Sequence, residues 1–106
     1  VTASLRPTDP DPQPILRLRL YVAGASPNST LAVANLRAAL GGVSEHRVEL
    51  EIVDILEDPD RGLRDAVVLT PMLVRLEPLP ERRVLGSLGD RAVLLSVLGL
   101  LEATRA

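Results

Sequence analysis

The side chains able to do chemistry are few and scattered along 106 residues. Cysteine is absent, so no thiol is available for disulfide exchange, peroxide reduction or thiolate ligation of a metal. His46 is the only histidine and stands between Glu45 and Arg47, with no second nitrogen or thiolate to complete a zinc or copper site. Any nucleophile would have to use that one imidazole unaided, so no Ser, His and acid arrangement is supported. Asp54, Glu57, Asp58 and Asp60 are of the right type for a divalent cation. Pro59 and the start of a helix explain them instead as caps and partners of the helix dipole. Gly86-Ser87-Leu88-Gly89 lacks the Gly-rich run and following Lys of a phosphate loop. No catalytic, metal-ligating or cofactor-binding residue is therefore expected, and the chain is not expected to be an enzyme.

The elements that must position these residues follow from hydrophobic period. From Ile15 the pattern alternates, with Leu16, Leu18, Leu20 and Val22 on one face and Arg17, Arg19 and Tyr21 on the other, which predicts a strand. Ser26 as N-cap and Pro27 at the first helical position predict a helix to Leu40, stopped by Gly41-Gly42. Its core face is expected to hold Leu31 or Ala32, Val33, Leu36 and Leu40. Arg47 to Ile55 alternates again, with Val48, Leu50 and Ile52 opposite Glu49, Glu51 and Val53. A helical crossover makes these two strands parallel neighbours, placing Arg17 and Arg19 beside Glu49 and Glu51. Asp58-Pro59 starts a short helix, Asp60 to about Val67, weakened by Gly62. Met72 to Glu77 and Arg82 to Leu85 form a hairpin around Pro78-Leu79-Pro80-Glu81, and Asp90 caps a helix from Arg91 to about Thr104. That last helix is apolar over more than one stripe, which fits a sandwiched core position or engagement with another chain, including a homo-oligomer.

Composition narrows the class. The chain is long enough for one domain, and Tyr21 is its sole aromatic, so the core must be aliphatic. All 12 basic residues are Arg against 14 acidic ones, a net charge of −2. No basic stretch tracks phosphates and no aromatics await bases, which argues against nucleic acid. No run reaches the roughly 20 apolar residues of a membrane span, so no membrane partner is expected and the expected location is cytoplasmic. Residues 1–14, with Pro7, Pro10, Pro12 and Pro14, read as a disordered Pro-rich leader, and 15–106 as a single domain.

The order βαβαββα, an α/β fold with a mixed four-stranded sheet and three helices, resembles a thioredoxin-type domain. Ala25 and Asn28 stand where such domains carry their two thiols, and Thr70-Pro71 stands at the place of the cis proline, making Pro71 the cis-proline candidate. In glutathione-binding relatives a residue near Ser26 activates the thiol; capping already accounts for Ser26 here. Five blocks extend the resemblance: Leu20-Tyr21-Val22-Ala23-Gly24, Ser26-Pro27-Asn28-Ser29, Val53 to Pro59, Thr70-Pro71 with Leu73 and Val74, and Pro80 to Leu88. Together they resemble the KaiB family of circadian-clock proteins.

That resemblance implies a non-enzymatic regulator docking on a KaiC-type ATPase ring, with a KaiA-like protein or a histidine kinase as possible further partners. It also implies an alternative fold, the KaiB ground state, a tetramer with a rearranged C-terminal half. Contacts carried over by position are Pro27, Asn28, Glu49, Glu51, Asp58 and Ala66. Basic positions of the family appear here as Leu31, Glu51 and Ala66, and Val97 and Gly99 replace a Gly and an Asp. Alternative readings are a sensor module in a histidine-kinase pathway and a thiol-free structural protein of thioredoxin fold.

Overall fold

A computed structural model of the chain describes residues 16–100. Strand β1 (Leu16–Val22) leads to helix α1 (Pro27–Ala39), a 3-10 turn at Glu45–Arg47 and strand β2 (Val48–Asp54). Helix α2 (Pro59–Arg64), strands β3 (Met72–Glu77) and β4 (Arg82–Leu85) and helix α3 (Arg91–Leu98) complete the described chain. The sheet order is β2-β1-β3-β4. β1 and β2 are parallel with Arg17 opposite Glu49 and Arg19 opposite Glu51, the register expected from their alternation. β3 runs antiparallel to both β1 and β4. The expected leader over 1–14 and the last residues of the expected final helix lie outside the described residues.

Two unequal apolar clusters lie on the two sheet faces. On the first, Leu18, Leu20, Val22 and Leu73 pack with Ala32, Leu36 and Ala39 of α1, Leu94 and Leu98 of α3, and Leu88. On the second, Tyr21 and Val53 gather only Met72 and Val74, with Ile55, Val67 and Leu76 at the margin. The alternation of each strand creates this division, because successive side chains leave opposite faces.

The helices depart from expectation in instructive ways. The buried positions of α1 are Ser29, Ala32, Leu36 and Ala39, while Leu31 is half exposed. Small residues face the sheet because they let the helix approach it closely, so of the expected alternatives Leu31 and Ala32 it is Ala32 that is buried. Ser26 occupies the N-cap position without a side-chain cap bond. Ser29 Oγ instead accepts from the Ala23 N–H at 3.1 Å, anchoring α1 to the end of β1.

α2 is shorter than the expected 60–67. Asp58 Oδ1 accepts from the Arg61 N–H at 3.3 Å at one end. At the other end Ala66 adopts φ 58°, and the Val67 N–H bonds back to the Gly62 carbonyl at 2.9 Å. Gly62 is buried, and a Cβ there would meet Ile55 Cγ2 at 3.3 Å. Its place in a helix thus reflects close packing against the β2–α2 connection. α3 stops at Leu98, where Gly99 turns left-handed at φ 78°. The Leu100 N–H then closes the end on the Leu95 carbonyl at 2.8 Å.

Candidate functional site

The face of the sheet beneath α2 carries two groups of paired charges. Arg17 Nε donates to Glu49 at 3.1 Å and its Nη1 to Glu77 at 3.2 Å, spanning three strands. One oxygen of Glu51, Oε1, accepts from Arg19 Nε at 2.9 Å and from Arg61 Nη2 at 2.8 Å. Arg19 and Arg61 also lie 3.6 and 3.4 Å from Asp65 Oδ2. The Tyr21 hydroxyl donates to Asp65 and accepts from Arg19 at 3.4 Å. Arg83 of β4 donates to the carbonyls of Asp65 at 3.2 Å and Ala66 at 3.5 Å. α2 and the turn after it are therefore fastened to the sheet largely through Arg19, Arg61 and Arg83.

These contacts bias protonation. The Tyr21 hydroxyl bond, followed by the Arg19 and Arg61 charges, holds the Asp65 carboxyl below its ordinary value against the opposing effect of burial. Arg61, and then Arg19, lower Glu51 by the same kind of hydrogen bonding. Burial, then the bond to Asp65, pushes the Tyr21 phenol upward.

Each residue singled out in the sequence has a definite place. Pro27 and Asn28 are exposed at the start of α1, and Asp58 is exposed at the start of α2. Both helices begin beyond the C-terminal ends of parallel neighbours, so these three positions share one end of the domain. Asp54 ties the two connections together by accepting from the N–H groups of Gly24 and Leu56, each at 3.0 Å. Gly24 needs its positive φ of 56°, and a Cβ there would meet Leu56 Cδ1 at 3.1 Å. Glu51 and Ala66 are linked through the α2 network, whereas Glu49 lies toward the other end beside Arg17. Pro71 is buried and its peptide bond is cis.

Glu49 and Glu51 are thus engaged within the chain, although a docking role would suggest free charges. Sequence reasoning missed Arg61, Asp65 and Arg83. The i,i+4 spacing of Arg61 and Asp65 was a usable signal, as was the need of a buried tyrosine hydroxyl for a partner. Among the described residues no group of three or more His, Cys, Asp or Glu side chains could hold a metal ion. No described helix is long and apolar enough to cross a membrane.

Around α2 the surface turns apolar. Leu56, Leu63, Val68 and Leu69 are 68, 80, 86 and 60 % exposed. They lie within one stretch of 14 residues in which Glu57, Asp58, Asp60 and Arg64 are exposed as well.

The sequence matches the KaiB domain family over residues 19–100. The circadian clock oscillator protein KaiB of Synechococcus elongatus is 39 % identical over 84 residues, covering 79 % of this chain and 82 % of that protein. The protein of the same name from Prochlorococcus marinus strain MIT 9312 is also 39 % identical over 84 residues, covering 79 % of this chain and 80 % of its own. Among solved structures, the N-terminal domain of Synechococcus elongatus SasA superposes with a TM-score of 0.68 at 21 % identity, covering 99 % of this chain and 98 % of that one. Chloroplastic thioredoxin z gives 0.67 at 20 % identity, covering 84 % and 80 %. These two likenesses establish the fold as thioredoxin-like.

Proposed function

The chain belongs to the KaiB family, and from that premise we propose that it is a non-enzymatic regulatory protein that docks on a KaiC-type ATPase ring and modulates clock or clock-like signalling. The observation that carries the reading is the exposed apolar stretch around α2, Leu56, Leu63, Val68 and Leu69, beside Asp58 and Ala66. A thiol-free thioredoxin-like domain keeps its scaffold for binding once its redox chemistry is gone. Pro27 and Asn28 extend the surface at the shared end of the parallel strands. Operation in the cytoplasm, with a KaiA-like protein or a histidine kinase as further partners, accords with this reading. The greater identity to clock oscillator KaiB proteins than to the SasA domain favours it over a sensor module.

The test is retention of the purified protein on the KaiC-like ATPase of the same genome, with ATP and with ADP. Nucleotide-dependent capture is expected. Absence of capture in both states by a folded protein overturns the proposal.

A further inference from the structure

The apolar stretch around α2 is bordered by charge of one dominant sign. Glu57, Asp58 and Asp60 are exposed beside Leu56 and Leu63, against the single exposed guanidinium of Arg64. Arg61, the other basic residue of that stretch, is turned inward, with Nη2 on Glu51 at 2.8 Å and Nε 3.4 Å from Asp65. Asp60 and Leu63, three residues apart in α2, are neighbours on its exposed side.

Elsewhere the domain pairs its carboxylates. Glu49, Glu51, Asp65, Glu77 and Glu81 each meet an arginine. Among the described residues Glu57 and Asp60 take part in none of these pairs, and Asp58 uses one oxygen on the Arg61 N–H at 3.3 Å. Nor, among the described residues, do three such side chains converge as metal ligands would. A free carboxylate in water is no defect by itself. A partner that covers Leu56, Leu63, Val68 and Leu69, however, also takes water from the carboxylates beside them. That cost is offset only where the partner presents charge of the opposite sign.

Resting on docking through α2, the function already proposed, we propose that this surface selects a partner that is apolar at its centre and basic at its rim. Arginine or lysine side chains of the ATPase ring then face Glu57, Asp58 and Asp60. The leucines supply affinity, while the carboxylates set which ring is accepted and how fast it is found. A ring with acidic side chains at those places is rejected.

The test is capture of the full chain by the KaiC-like ATPase of the same genome, at low and at raised salt. Glu57→Lys with Asp60→Lys reverses the charge, and Glu57→Gln with Asp60→Asn removes it. Both sites are exposed, and Asp58, the cap of α2, is kept. Reversal is expected to weaken capture about tenfold or more and neutralisation about two- to fivefold, with circular dichroism unchanged. The gap between wild type and the reversed variant is expected to close as salt rises from about 0.05 to about 0.5 M, since screening acts on the charges and not on the leucines. Equal capture of wild type and both variants leaves docking in place and overturns the basic partner. Stronger capture of the reversed variant, or a gap that salt does not narrow, overturns it as well. Absence of wild-type capture removes docking and this proposal together. Self-association that Leu63→Ser with Val68→Ser disperses, without capture by the ring, assigns the surface to a second copy and overturns the proposal too.

Discussion

The two faces of the sheet are built on different physics. Across from α1 and α3, Leu18, Leu20, Leu36, Leu73 and Leu94 are each at most 2 % exposed, in a contiguous aliphatic cluster. Across from α2, four buried residues are rimmed by Arg19, Glu51, Arg61, Asp65 and Arg83. Aliphatic burial is non-directional and insensitive to pH or salt, whereas the polar rim depends on geometry, protonation and ionic strength. The α2 face is accordingly the adjustable half of the domain, and the exposed apolar stretch belongs to it. A docking surface of the kind proposed is better supported by contacts that can be exchanged than by a sealed core.

The largest effects should come from the sealed face. Leu20→Ala removes a fully buried side chain at the sheet centre and is expected to cost about 2–5 kcal/mol in denaturant unfolding. A loss below 1 kcal/mol would erase the contrast between the faces. Tyr21→Phe keeps the ring and deletes the hydroxyl between Asp65 and Arg19; a smaller loss, about 1–3 kcal/mol, is expected. Amide exchange should rise first at Ala66 and Val67, leaving α1 protected.

Acid sharpens the same comparison. Asp65 and Glu51 titrate below their ordinary values in the folded chain. Their contribution is therefore complete above the unfolded carboxylate range, near pH 4, and lost as pH falls through the folded values. The raised Tyr21 phenol works in the other direction. Its contribution is complete below about pH 10 and lost as pH rises beyond it toward the folded value. Exchange at Ala66 and Val67 that is flat from pH 5 down to pH 2, after correction for intrinsic rates, would refute the polar fastening of α2.

A stabilising change is expected at Ala66, whose φ of 58° is unfavourable for any residue with a Cβ. Ala66→Gly should raise stability by up to about 1 kcal/mol, and a loss on thermal unfolding would show that the turn is held by the Ala66 methyl. Smallest of all should be the stability effect of Leu63→Ser with Val68→Ser, within about 0.5 kcal/mol per site because both are exposed. The same pair should lower capture by the ATPase ring at least tenfold. Full capture would move the docking surface off α2.

Much of this architecture was legible. Period-two alternation located β1, β3 and β4 and paired Arg17 with Glu49 and Arg19 with Glu51, since a one-residue slip would turn every Leu of β1 to the wrong face. Helix ends were less so. Gly99 was the available sign of the left-handed turn that ends α3, but the apolar residues that continue beyond it carried the expected helix on to about Thr104. The face of α1 was left open between Leu31 and Ala32, and the structure buries Ala32, because a period of 3.6 leaves adjacent stripes in competition until a neighbour selects one. For the candidate site, sequence supplied the exposed helix starts and the Arg17–Glu49 and Arg19–Glu51 pairs but not the part played by Arg61, Asp65 and Arg83. That Glu51 is shared by Arg19 and Arg61 depends on α2 crossing the sheet at one place.

The sequence by itself determined the sheet, the aliphatic core and the exclusion of thiol chemistry, because alternation, composition and the lack of cysteine are local or global counts that need no geometry. Tertiary structure alone decided that Arg61, Asp65 and Arg83 join the strand charges and which leucines stay bare around α2. Those outcomes depend on how elements distant in the chain meet, and a guanidinium's partners are fixed only when the elements around it have been placed.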